Sequence, residues 1–274
     1  MMKDHNVGRG SADASTGRRR FLGTMAGVGA GAVLAGLSAR QSAWAASATA
    51  ATLDAASCGE SIQDIINAAL IAERIATTFY YTGLTTTAIA RDHRVAGYAA
   101  NPNAVSRNGD PANVAYLQAA LDQEDKHAHI LSNLGATAPY EKFYFPASTF
   151  EQVGYTSHAG TFLWTVDHLE TAFIGAYLAA IDRFGALGRA DLALLAARFL
   201  GVECEHRALY RVIAGDDPAD NVTLEVTSFA CVGDAARVLT PFLTGHGFPG
   251  GATAAIPLPE PAHIARVVGK NRSA

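Results

Sequence analysis

Cysteine is scarce in this chain. Cys58, Cys204 and Cys231 are the only three in 274 residues, and none stands in a CxxC spacing. An odd count without that spacing excludes a dense disulfide framework and a zinc-finger pattern. It leaves a Cys58–Cys231 pair in an oxidising compartment as an open alternative. Charge is scarce as well, at 17% of residues, with a net charge of −4. Without a basic excess there is no electrostatic case for a nucleic-acid partner. No internal repeat of fixed period is present. What the chain has in quantity is apolar residues, 49% of the total. That supply builds a large interior and argues against disorder.

The first 45 residues read as an address rather than as fold. Arg18-Arg19-Arg20-Phe21-Leu22 precedes an uncharged, Gly- and Ala-rich run that ends near Ala39, and Ala43-Trp44-Ala45 follows with small residues at a cleavage-like site. The order resembles the twin-arginine export signal of bacteria. The run is of borderline length for a membrane anchor. Its glycines and the site behind it favour removal, which implies no stable membrane insertion afterwards and a periplasmic or extracellular location. The twin-arginine route carries folded proteins, which suits a protein that loads a metal before export. Residues 46–59 read as a flexible linker.

Four segments beyond it show helical periodicity: about 60–91, 111–134, 158–184 and 189–214. The turn formers of 97–110 separate the first two. Residues 135–157 are too many for a tight turn and suit a crossover along a bundle. Gly185-Ala186-Leu187-Gly188 makes the last two antiparallel neighbours. Residues 215–274 form a C-terminal extension expected to pack on the bundle. Within it, 222–226 reads as a short extended piece, 235–243 as a short helix broken at Pro241, and 245–261 as a loop or tail.

Each long segment carries an apolar stripe with a glutamate near its middle: Glu73, Glu124, Glu170 and Glu203. Two stripes add an imidazole three residues on, His127 and His206, a spacing that stays on one helix face. Fourteen residues separate Glu170 from its helix end near Phe184, and fourteen separate Arg189 from Glu203. Both glutamates therefore stand about 21 Å from the same link and face each other. Four ionised carboxylates at one level of an apolar core each cost several kcal/mol and repel one another. No Lys or Arg on the stripes offsets them. Two divalent cations would, and two neutral imidazoles would complete the ligand set. Oxygen and imidazole ligands suit iron or manganese.

The series Glu73, Glu124-x-x-His127, Glu170, Glu203-x-x-His206 resembles the ferritin-like superfamily, over residues 60–214. With the export signal, the chain is similar to exported bacterial ferritin-like domain proteins related to desiccation-associated and rubrerythrin-like di-iron carboxylate proteins. The resemblance implies an all-α four-helix bundle with one long crossover and two metal ions, iron favoured over manganese. It implies dioxygen or peroxide as substrate, in a ferroxidase or peroxide-consuming oxidoreductase of stress protection. A manganese catalase-like enzyme and a non-enzymatic desiccation scaffold or metal store are the alternatives. Storage would need a homo-oligomeric cage. The chain lacks the cysteine pairs of a rubredoxin domain, so no electron donor of that kind is built in. Asp167, one turn before Glu170, resembles the extra acid of rubrerythrin-like members. Tyr80, Tyr177 and Tyr210, each seven residues past a ligand glutamate, read as core packing more readily than as an electron relay. Cys204 reads as a buried filler. His129, His158 and His168 read as surface or helix-end residues, and Glu205 as solvated.

Overall fold

In the computed structural model, residues 58–96, 112–222 and 229–269 are described. The main body is a four-helix bundle. Helix α1 spans Ile62–Thr85. Two short turns of helix follow, α2 at Thr87–Ala90 and α3 at His93–Ala96, and then α4 at Ala112–Asn133. After a long crossover that carries strand β1 (Lys142–Phe143) come α5 at Phe162–Ala186 and α6 at Ala190–Ala214. The extension adds α7 (Val232–Thr244), β2 (Ile256–Pro257) and α8 (Pro261–Val268). No helix among the described residues is long and apolar enough to cross a membrane.

Local chemistry sets the helix ends. Ser61 caps α1 with a capping box: its hydroxyl accepts from the Asp64 N–H, and the Asp64 carboxylate accepts from the Ser61 N–H. The expected first helix ran to residue 91, but α1 stops at Thr85. Thr82 and Thr85 turn their hydroxyls onto carbonyls one turn back, and Thr86 is extended. The third long helix starts at Phe162 rather than near 158, because Gly160 holds φ +79 and Thr161 is extended. Gly215, at φ 77, ends α6.

Helix α1 pairs with α4 and α5 with α6, and the two pairs close around one interior. The expected extension also packs there, with differences from the sequence reading. Pro241 does not break α7 but lies inside it. The helix bond that Pro241 cannot donate is the one to the Arg237 carbonyl, on the exposed side of α7. Residues 245–261 are not a free tail. They lie along the crossover, with Lys142 opposite Pro257 and Phe143 opposite Ile256 in an antiparallel pair. Pro146 and Ala252 form a further bridge. Helix α8 then docks on α4, where Gln118 donates to the Val267 carbonyl at 2.8 Å. The extended piece read at 222–226 falls, but for Val222, outside the described residues.

Cys58 and Cys231 form a disulfide, with Cα atoms 5.7 Å apart, tying the start of α1 to the start of α7. Glu60 reinforces the junction: its carboxylate accepts from the Val232 and Gly233 N–H groups at the N-terminus of α7.

Candidate metal centre

Each long helix delivers its glutamate to the bundle interior. Glu124, Glu170 and Glu203 are 0% exposed, Glu73 2%, His206 3% and His127 6%. The six residues sort into two groups of four whose donor atoms lie within 4.8 Å of one another: Glu73, Glu124, His127 and Glu203, and Glu124, Glu170, Glu203 and His206. Glu124 and Glu203 belong to both. Their oxygens divide between the groups. Glu124 Oε2 lies 3.8 Å from His127 Nδ1, and Glu124 Oε1 lies 3.0 Å from His206 Nδ1. Glu203 Oε1 lies 3.5 Å from His127 Nδ1, and Glu203 Oε2 lies 3.4 Å from His206 Nδ1. Glu73 and Glu170 each serve one group, 3.3 Å from His127 and 3.8 Å from His206 respectively. Glu124 and Glu203 are thus placed to serve both groups, and Glu73 and Glu170 one each, with one imidazole in each group.

The donor set fits a pair of cations. All four oxygens of Glu124 and Glu203, Glu170 Oε2 and His206 Nδ1 are sealed from solvent and make no aligned hydrogen bond. Buried polar atoms without partners are rare, and an ion at their common focus accounts for them. Without cations the electrostatics are frustrated. Burial, then the charges of Glu203 and Glu73, pushes the Glu124 carboxyl well above its usual range. Burial and the Glu203 charge do the same to Glu170. Burial opposes a charged His127, but the carboxylates of Glu124, Glu203 and Glu73 beside it outweigh that and push it up to about 12. His206 is raised in the same way, against burial, by Glu203 and Glu170. For Glu203, burial is outweighed by His127 and His206, which hold it at about 2. These shifts favour bound protons in the metal-free site, which a metal would displace.

The sequence model of the ferritin-like domain matches residues 61–216, more than half of the chain. This chain belongs to the ferritin-like family. Neither a curated protein nor a solved structure matches it.

Several details of the site lie beyond the sequence reading. The tyrosines cross between helix pairs: Tyr80 of α1 donates to Glu170 Oε1, and Tyr177 of α5 donates to Glu73 Oε1. For Glu73 this leaves Oε2 toward His127, whereas the Glu170 oxygen that Tyr80 engages is also the one nearest His206. Tyr210 is fully buried, its hydroxyl without a partner, 5.7 Å from the Tyr80 ring. Gln123 fixes the tautomer of His206: its Oε1 lies 2.8 Å from Nε2, so that nitrogen donates and Nδ1 keeps its lone pair for the centre. Gln123 precedes a ligand in sequence, but nothing in the stripe marks it. His127 stacks instead on Phe199, with ring centroids 3.9 Å apart.

Asp167 does not join the cluster. Its carboxylate faces Arg207 at 3.5 Å and Arg211 at 3.6 Å. Arg207 also reaches Thr171 and Asn221, so this network straps the segment after α6 onto α5 and α6. His129, His158 and Glu205 are exposed, as expected. His168 is not a surface residue: it is half-buried in mid-helix, stacked on Trp164 at 3.8 Å. Cys204 is half-buried, free and off the metal-facing side.

Proposed function

We propose that this ferritin-like protein is an exported dinuclear-metal oxidoreductase, iron its resident metal, of ferroxidase or peroxide-consuming type in stress protection. The observation that carries the reading is the sharing of Glu124 and Glu203 between two four-residue groups, whose clustered buried charge a pair of cations would offset. Bound there, two redox-active metals would supply one- and two-electron chemistry toward dioxygen or peroxide. The chain itself supplies a buried interior, outer carboxylates held by Tyr80 and Tyr177, and a His206 tautomer set by Gln123. Manganese suits the same oxygen and imidazole donors and is the alternative metal. The Cys58–Cys231 bond supports export, since disulfides persist in oxidising compartments. The test compares ferrous oxidation and peroxide consumption by iron-loaded protein, manganese-loaded protein and the Glu124→Ala variant. Turnover by the iron form alone is expected. Equal rates in Glu124→Ala would contradict the reading.

A further inference from the structure

An apolar pocket of about 40 Å³, partly open to solvent, lies between α1, α4, α5, α6 and α7, at the end of the bundle that holds the α5–α6 link. Its lining is apolar, with alanines prominent among them Ala69, Ala180 and Ala196. The one hydroxyl among the lining side chains is that of Tyr177, and it is engaged by Glu73. Two rings, Tyr177 and Phe199, stand edge to face with centroids 5.8 Å apart. Behind the first is Glu73, and behind the second is His127. The cavity therefore stops one side chain short of the Glu73–His127 half of the centre. Ala69, one turn before Glu73, keeps that approach open.

We infer that this cavity is the dioxygen approach to the centre, and that dioxygen rather than peroxide is the oxidant it serves at the Glu73–His127 half. The inference rests on the reading of that half as a metal site. Size and polarity both select the occupant. Apolar cavities stay dry and take apolar guests, and one of about 150 Å³ holds benzene or xenon. A space near a quarter of that admits a diatomic gas but no organic substrate of ordinary size. Peroxide would leave its hydrogen-bonding capacity unmet against these walls, a cost dioxygen does not bear. The opposite end of the site offers no such approach: Tyr80, Tyr210, Phe79 and Phe162 are packed there with almost no exposure.

Two measurements test this. Crystals of the full mature protein under xenon pressure are expected to show xenon beside Tyr177 and Phe199, with or without metal. The Ala69→Leu and Ala180→Leu variants are expected to exclude it. In stopped flow, oxidation of the ferrous-loaded variants by dioxygen should slow by about tenfold while oxidation by hydrogen peroxide keeps its rate. Absence of xenon in the wild type overturns the proposal. So does an unchanged dioxygen rate in a variant that excludes xenon, or an equal slowing with both oxidants. Failure of the metal reading shows separately, as xenon bound in a protein that takes up no stoichiometric iron, and it removes the dioxygen role as well.

Discussion

At one end of the bundle, Phe79 stacks on Phe162 at 4.6 Å, and Phe145, Phe150, Tyr80 and Tyr210 close around them. At the other end, alanines from α1, α5 and α6 face one another and leave a cavity. The two halves of the centre inherit this difference. Glu170 and His206 lie against the aromatic end, with Tyr80 and Gln123 as partners. Glu73 and His127 lie against the alanine end, behind Tyr177 and Phe199. Ligand identity is symmetric, whereas packing is not. The lesson is that a two-fold ligand set can carry two functionally distinct metals when the second layer of side chains differs.

Variants at each end sharpen the contrast. Phe162→Ala removes the centre of the aromatic stack and is expected to cost about 3–5 kcal/mol in urea unfolding. A loss below about 1 kcal/mol would mean that this end is not tightly packed. Gly83→Ala probes the same place: a Cβ there would sit 2.4 Å from the Phe162 ring, so overpacking of about 1–3 kcal/mol is expected. Next in size are the partners of the ligands. Tyr80→Phe and Gln123→Ala should weaken cobalt binding by about 10- to 100-fold at one of two sites, and Tyr177→Phe should do so at the other. Identical isotherms for Tyr80→Phe and Tyr177→Phe with both sites equally weakened would erase the distinction between halves.

The metal-free protein gives a pH signature. His127 is raised from 6.5 to about 12, so its contribution to stability is complete below 6.5 and is lost as pH rises toward 12. Glu124 and Glu170, raised by burial and neighbouring charge, have the same sign, their contribution complete below 4.5 and lost as pH rises through the folded values. Glu203, held at about 2, has the opposite sign and loses its contribution as pH falls from 4.5 toward 2. The melting temperature of metal-free protein should therefore fall from neutral to mildly alkaline pH, and metal loading should flatten that slope. A slope unaffected by metal would contradict the assignment. Smallest of all is the effect of Ala180→Leu on stability, expected within about 1 kcal/mol because the added carbons enter existing space.

Much of this was readable from residue order alone. A glutamate on an apolar stripe is costly enough to be informative, so Glu73, Glu124, Glu170 and Glu203 announce an interior site, and the i, i+3 step places His127 and His206 beside two of them. The short link after α5 fixes relative height. What escaped reading depends on contacts between helices. Nothing in α1 says that Tyr80 reaches a glutamate of α5, and Gln123 lies off the stripe. The two-residue strands are too short to show alternation, and their pairing is decided by where the crossover passes. The Cys58–Cys231 bond needed the packing of α7 against α1. Asp167 misled because its sequence position, one turn from a ligand, says nothing about Arg207 and Arg211 on the facing helix.

The most direct measurement is metal content by mass spectrometry on protein purified from its own host, beside Glu124→Ala and His206→Ala. Two metal ions per wild-type chain, almost none in Glu124→Ala because both sites lose a bridge, and one or fewer in His206→Ala are expected. Equal stoichiometry in the three proteins would contradict the dinuclear centre.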